Sequence, residues 1–388
     1  MGTNLLRPTW GQLDPHELRI LLDNRIGRPG QYECLATGQY RVYLPLAGPQ
    51  CRIVLTYCDR QPTSIEAGPA FDAVQWDRIA DDIETSVLAG SVKIGRDFSF
   101  SMYRVQGSWS GARSGVQILP PPPEAPRAQF EMAEHPFILE FPIKDGGIWV
   151  ITNHRRQREH HKLTLLLNIL LAGRTNLQPR RSSHFWGYWH HEGETESRWV
   201  QNFFSAGVGE VLLDSPSPLT PERLEEIASD RYYEVVRGFD GLGLRVPDNL
   251  DDLLCRYQGL HPTRRSEFDR AAFWLDVARR QWNISVSASF ASLVSAVESL
   301  INTRGKGSTA RFRDFFERYA PGISHVGRRN EMYNLRSGIL HGSEMLTIDQ
   351  NLEFGWDPPG WNERELQDEL WTVTRFAMRN WLGNPPPV

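Results

Sequence analysis

The spacing of apolar residues changes character partway along the chain. Up to about residue 213 the pattern is one of short alternating runs. Tyr40-Arg41-Val42-Tyr43-Leu44 alternates fully and Arg52-Ile53-Val54-Leu55-Thr56-Tyr57 in part, which predicts strands. Further strands are predicted over 86–92, 97–105, 137–141 and 148–152, with one helix over 157–171. Gly and Pro punctuate these runs, most heavily at Pro120-Pro121-Pro122-Pro123, a loop or extended spacer. No internal repeat is evident. Three prolines in Asp214-Ser215-Pro216-Ser217-Pro218-Leu219-Thr220-Pro221 exclude a helix interior or inner strand, so 214–221 reads as a linker. Thr220 then offers an N-cap, with Pro221 at the first helical position and Glu222 facing the positive end of the helix dipole.

Beyond the linker the period becomes 3.6. Phe268, Ala271, Ala272, Leu275, Ala278 and Trp282 form one stripe, and Val286, Phe290, Leu293, Val294, Val297, Leu300 and Ile301 a cleaner second one. A short helix is predicted over 311–319 and another over 328–341. A last helix over 363–382 turns Leu366, Leu370, Val373, Ala377 and Trp381 inward. Four or five amphipathic helices with short connections make a bundle. The expected fold class is α+β multidomain: a β-rich N-terminal domain of unknown type over 1–213, the linker, and an all-α domain over 222–384.

Composition narrows the function classes. The chain has 388 residues, room for two or three domains, and 40% hydrophobic content excludes a disordered chain. A net charge of −4 supplies no global basic field, so any nucleic-acid contact must come from a local patch. Cys34, Cys51, Cys58 and Cys255 lack Cys-x-x-Cys spacing and a nearby histidine pair, which points to reduced thiols without a metal site. The adjacent pairs His160-His161 and His190-His191 suit one metal poorly. No run reaches the ~20 apolar residues of a membrane span, and the N-terminus has no long apolar core. A cytoplasmic protein without membrane contact and without cofactor is the expectation.

The chemistry concentrates at Tyr333-Asn334-Leu335-Arg336-Ser337-Gly338-Ile339-Leu340-His341-Gly342. On a helical wheel Met332, Leu335, Ile339 and Leu340 share a face and Arg336 falls in its middle. An unpartnered guanidinium is costly there, so it must meet an anion, a carboxylate or a second subunit. His341 falls in the last turn, before Gly342, a residue suited to a left-handed helix end. A permanent cation and a group titrating near neutral pH thus reach one helix end.

This run resembles the Arg-x4-His signature of the HEPN ribonuclease superfamily, in particular its Apea-like branch. Tyr333, Arg336, Ser337, His341 and Gly342 occupy the places of that branch's motif, and Glu298-Ser299-Leu300 is similar to the Glu-x-Leu of its earlier core helix. The resemblance covers roughly 265–382. Many active HEPN nucleases carry Asn, Asp or His after the arginine, where this chain has Ser337. The resemblance implies a metal-independent endoribonuclease in which two protomers pair their motif helices into one composite site. It also implies a role in defence against phage or as a toxin, with an antitoxin or other regulatory partner.

Cleaving RNA without a metal requires deprotonating the ribose 2′-hydroxyl, stabilising the phosphorane and protonating the leaving 5′-oxygen. Arg336 would hold the scissile phosphate in its fork and His341 would transfer protons. Glu298, Tyr333 and Ser337 are the supporting candidates, with Glu298 orienting Arg336. Arg304, Lys306, Arg311, Arg313, Arg328 and Arg329 would steer RNA phosphates. The 304–313 segment is no P-loop, since Gly307 follows Lys306 and it joins helix to helix.

The same residues also admit a structural reading. Arg336 pairs with Glu298 or Glu331, His341 merely caps the helix, and the domain is a catalytically inactive dimerisation module beside a ligand- or nucleotide-binding N-terminal domain. A third reading has Arg336 grip a nucleotide signal without cutting. The basic run from His154 to Lys162 opens a helix. Phe185, Trp186, Tyr188, Trp189, Trp199, Phe203 and Phe204 interleave with Arg180, Arg181, His184, His190, His191 and Arg198. They form either a single-stranded RNA or ligand surface, or a β-layer core with charged rims.

Overall fold

The computed structural model describes residues 4–26, 31–45, 52–58, 61–68, 72–88, 90–101, 103–121, 135–171, 178–179, 184–201, 222–235, 243–282, 284–301, 307–322, 326–351 and 358–387. Two compact units emerge. The first comprises 1–95 and 142–159, the second 96–141 and 160–388. The predicted linker at 214–221 lies outside the described residues, and the unit boundaries fall elsewhere.

In the first unit, helix α1 (Pro15–Ile26) precedes four antiparallel strands in sequence order: β1 (Gln31–Ala36), β2 (Gln39–Pro45), β3 (Arg52–Cys58) and β4 (Gln61–Ala67). The alternation that predicts β2 and β3 is the alternation that buries them. Val42 and Leu44 face the core opposite Ile53 and Leu55, with Ile65 beside them. Helix α2 (Ala73–Ile83) is capped by Asp72, whose carboxylate accepts from the backbone N–H groups of Val74 and Gln75. Its Trp76 packs on Trp10 with ring centroids 5.7 Å apart. The strand predicted over 86–92 does not begin at 86. Residues Glu84–Leu88 continue α2 as a π-helical turn, which buries Val87 with Ile83, four residues earlier.

Strand β5 (Val92–Ser101) belongs to a five-stranded sheet ordered β6-β7-β8-β5-β9, with β6 Trp109–Ser110, β7 Gln117–Leu119, β8 His135–Lys144 and β9 Gln178–Pro179. Helix α3 (Trp149–Leu170) starts eight residues before its predicted start and replaces the strand predicted over 148–152. Those residues have strand-like composition, but a helix turns Ile151 and Arg155, one turn apart, to a common side. Ile151 is buried while Trp149 and Val150 stay exposed. Strands β10 (His184–His191) and β11 (Glu194–Gln201) form a hairpin whose two-residue turn, Glu192-Gly193, has positive φ at both positions.

No helix forms over 222–228. Ser108 donates its N–H to the Glu222 carbonyl and accepts from Leu224 N–H, so this stretch is extended, followed by β12 (Glu226–Ile227) and α4 (Ser229–Val235). The predicted helix start at Thr220-Pro221 lies outside the described residues, and cross-strand pairing holds the stretch from Glu222 to Leu224 extended. β13 (Val246–Pro247) pairs parallel to β12. Helices follow: α5 (Leu250–Gln258), α6 (Pro262–Gln281), α7 (Val286–Glu298), α8 (Ser308–Tyr319), α9 (Val326–Leu340), α10 (Thr347–Asn351) and α11 (Pro358–Gly383); the five predicted stretches correspond in order to α6, α7, α8, α9 and α11, while α5 and the short α10 are additional.

α7 is the axis of this bundle and packs against α6, α8, α9 and α11. Small residues let its neighbours approach: Ser287, Ser289, Ala291, Ser292 and Ala296 are all buried, and the Ser292 hydroxyl donates within the helix to the Ala288 carbonyl. Its N-terminus is fully satisfied. Asp349 on α10 accepts from Val286 N–H (2.9 Å), Ser287 N–H (2.7 Å) and the Ser285 hydroxyl (2.9 Å), and Ser285 accepts from Ala288 N–H. On α11 all five inward residues are buried as predicted. Trp282 is the exception on α6: it is 38% exposed, just past the helix end.

Candidate functional site

The C-terminal end of α7 meets the middle of α9. Glu298, the last residue of α7, accepts from the Tyr333 hydroxyl at 3.1 Å and from the Arg336 guanidinium. Tyr333 and Arg336 are three residues apart, hence on one face of α9. Tyr333 is buried and fixed by Phe312 of α8, ring centroids 5.3 Å apart, and the Arg336 guanidinium lies 5.8 Å from the Tyr333 ring centre. Three helices therefore converge to hold one cation. The pair is partly solvated, with side chains 20% exposed for Arg336 and 29% for Glu298. The buried Arg336 Nε has no hydrogen-bond partner, so the guanidinium keeps donor capacity that Glu298 does not use.

The face around Arg336 differs from its prediction. Met332 is fully buried, Leu335 and Ile339 are half-buried, and Leu340 is 54% exposed. Arg336 sits at the rim of the buried stripe, where a guanidinium keeps partial hydration, and not in its middle.

His341 caps α9. Its N–H donates to the Ser337 carbonyl, Gly342 N–H to Ile339 and Ser343 N–H to Gly338, the hydrogen-bond pattern of a Schellman end with Gly342 in the left-handed conformation at φ +71°. The predicted left-handed glycine is found. The His341 side chain is exposed. Five residues of α-helix rotate it about 140° from Arg336, so within one chain the two occupy different faces of the helix end. Ser337 contributes its carbonyl to the cap and is half-buried. Glu344 folds back so that its carboxylate lies against Gly338, where a Cβ would come within 2.5 Å of it. No pattern in the sequence marks this residue.

The predicted basic set does not act as one patch. Arg329 is 1% exposed and pairs with Glu317 at 2.7 Å, with a longer contact to the Ala320 carbonyl, so it cannot reach a phosphate. Arg328 is held by Glu369 (3.1 Å), Asn362 (3.0 Å) and Glu331 (3.4 Å). The Glu331 pairing considered for Arg336 thus goes to Arg328. Arg313 is 43% exposed beside Asp314, and Arg311, on the first turns of α8, has buried Nε and Nη1 atoms without hydrogen-bond partners. Arg304 and Lys306 lie outside the described residues.

In the basic run of α3, two residues are internal. In the first unit, Arg155 makes a bidentate pair with buried Glu17 (3.0 and 2.8 Å) and donates to the Asp145 carbonyl. In the second, His160 Nε2 lies 2.7 Å from Ser99 Oγ and its Nδ1 3.9 Å from Asp97. Sequence reasoning missed this Ser-His-Asp line because its members are 61 residues apart. It has the order of a hydrolase triad, but Ser99, His160 and Asp97 are 0%, 3% and 4% exposed. A nucleophile that no substrate can touch is a structural cluster. The aromatic hairpin is paired as Trp186 to Trp199 and Tyr188 to Ser197; Phe203, Phe204, Arg180 and Arg181 lie outside the described residues.

Among the described residues no three His, Cys, Asp or Glu side chains gather at metal-binding distance, and no helix is long and apolar enough to cross a membrane. Cys34 and Cys255 are free thiols, the Cys58 sulfur accepts from the Gln39 side-chain amide, and Cys51 lies outside the described residues. Comparison with protein-family models, curated proteins and solved structures finds no match to this chain. The residue-level likeness to the HEPN motif therefore stands on the motif and its geometry alone.

Proposed function

We propose that this chain is a metal-independent endoribonuclease of HEPN type, working as a homodimer and serving as a defence or toxin effector in the cytoplasm. The observation that carries the reading is the Glu298–Tyr333–Arg336 cluster. A guanidinium is fixed where three helices converge, retains an unused buried N–H, and precedes an exposed imidazole at the helix end. Glu298 and Tyr333 orient Arg336 without consuming its charge, so it can hold a scissile phosphate and stabilise the phosphorane. His341, in solvent, exchanges protons with the 2′-hydroxyl or the leaving oxygen. The rotation between the two side chains supports a composite site, in which the imidazole serving one phosphate comes from the second protomer.

Cleavage of single-stranded RNA by wild type, Arg336→Ala and His341→Ala, each with and without EDTA, tests this. Expected are EDTA-resistant products with 2′,3′-cyclic phosphate ends, lost in both variants. Equal cleavage by all three proteins would overturn the assignment. The ion pair of Arg336 with Glu298 also favours a second reading, an inactive dimerisation module in which the arginine only braces α7 against α9. That reading expects self-association by light scattering without cleavage by any of the three.

A further inference from the structure

The strongest feature that this function leaves unused is on α11. Arg375 and Arg379, one turn apart, approach the end of α3 and the face of α4. Arg375 donates to the Leu171 carbonyl, and its guanidinium lies 6.0 Å from the Trp371 ring centre, while its buried Nε has no partner. The Arg379 guanidinium lies 3.6 Å over the Tyr233 ring and 4.6 Å from that of Phe376, contacts that satisfy none of its N–H donors in their own plane. The Tyr233 hydroxyl is itself turned away, donating to the Leu170 carbonyl. Among the described residues neither arginine has a carboxylate partner. Among the described residues the ionisable groups acting on Arg375 are Tyr232, Tyr233 and Arg379, and Arg379 lies against Tyr233 with Arg375 one turn away. Burial pushes both guanidinium pKa values down, and the charge of Arg379 pushes Arg375 the same way.

Two like charges held side by side among aromatic rings are costly unless something anionic joins them. The buried arginines named above each have a carboxylate, Glu17 for Arg155 and Glu317 for Arg329, whereas the half-buried Arg375 and Arg379 have none among the described residues. We propose that Arg375 and Arg379 form a binding site for a phosphate dianion, supplied as inorganic phosphate or as the terminal phosphate of a small nucleotide. The chemistry selects this class. Two positive charges need two negative ones for neutrality, which one carboxylate or one phosphodiester does not supply. A phosphate monoester carries nearly two at neutral pH. Guanidinium groups at i and i+4 can each present a fork to a tetrahedral oxyanion. The rings of Tyr233, Phe376 and Trp371 beside the pair limit its hydration, which favours a ligand that satisfies both groups at once. This site does not depend on the proposed nuclease function.

The test titrates the full chain with inorganic phosphate, AMP, ATP and a short single-stranded RNA without terminal phosphates, against sodium chloride at matched ionic strength. Binding is read by calorimetry and by the thermal midpoint. Expected is saturable phosphate-dependent stabilisation absent with chloride, with affinity at least tenfold weaker in Arg379→Gln. Stronger binding of AMP or ATP than of phosphate identifies a nucleotide as the source, and equal binding identifies phosphate itself; both support the site. A second readout needs no ligand: Arg379→Gln should leave the thermal midpoint of the phosphate-free protein unchanged or raise it, because it removes uncompensated charge. A lowered midpoint in phosphate-free buffer, phosphate stabilisation equal in wild type and Arg379→Gln, or binding of the RNA alone would each overturn the proposal.

Discussion

Replacing Glu298 by Gln is the sharpest perturbation of the candidate site. The substitution keeps the shape and an acceptor for the Tyr333 hydroxyl but removes the charge that Arg336 faces. Fully exposed ion pairs contribute about 0.2–1 kcal/mol, and breaking a fully buried one costs about 3–5 kcal/mol. With side chains 20% and 29% exposed, this pair lies between those limits, so its coupling should be about 1–2 kcal/mol. A double-mutant cycle of Glu298→Gln and Arg336→Gln, read by urea unfolding of the full chain, isolates that pairwise quantity. The RNA assay adds a second axis. If Glu298 orients Arg336, Glu298→Gln should slow cleavage about 10- to 100-fold, as expected when 1.4–2.8 kcal/mol of transition-state positioning is lost. Glu298→Asp should recover part of it. Coupling under about 0.3 kcal/mol, the additivity error for independent sites, would show that the pair is incidental. Unchanged cleavage in Glu298→Gln would sink the positioning role even if stability fell.

Three further outcomes follow from the fold. In Asp349→Ala the N-terminus of α7 loses three hydrogen bonds, and the chain should lose about 1–2 kcal/mol by urea unfolding. Burial pushes the Asp349 pKa up, but the hydrogen bonds from Ser287, Val286 and Ser285 outweigh it and hold the pKa below the usual carboxylate value. Its stabilisation is therefore fully present above about pH 4 and fades as pH falls through the folded-state pKa, so wild type and variant should converge in acid. Glu17→Gln leaves Arg155 buried without its counter-charge, and hydrogen exchange of the first unit should reveal a loss of about 3–5 kcal/mol; a loss under 1 kcal/mol would contradict the burial assigned to this pair. Gly342→Ala puts a Cβ on a residue at φ +71° and should cost about 1–2 kcal/mol, fraying the helix end under His341 while leaving the Arg336–Glu298 pair intact. An unchanged thermal midpoint would refute the strain.

What the sequence makes legible here is what depends on local pattern. The stripes on α7 and α11, the alternation on β2 and β3 and the left-handed Gly342 are all readable because neighbours within one or two turns determine them. Where tertiary partners decide, local reading fails. Residues 148–152 have strand composition, yet the helix wins because it turns Ile151 into the core and Arg155 toward Glu17. Arg328 and Arg329 read as a free basic pair, but Glu369 and Glu317 claim them from elements 41 and 12 residues away.

Arg336 itself divides along the same line. Its presence on a partly apolar helix face announces a partner, and Glu298 was one of two carboxylates the sequence offered. Which of the two it takes is settled by packing, since Glu331 on α9's own surface is engaged by Arg328, while α7 delivers Glu298 at its last residue. That delivery depends on the other end of α7, where Asp349 and Ser285 satisfy the first N–H groups. A 13-residue helix buried on nearly all sides has little freedom to slide once its start is fixed. The position of the Glu298 carboxylate, and through it the aim of Arg336, is therefore set by the helix as a whole. The cap at Asp349 and the site at Arg336 should consequently fail together. Asp349→Ala ought to weaken the Glu298–Arg336 coupling in the double-mutant cycle, and coupling that stays at its wild-type value in that background would show that α9 alone holds the arginine.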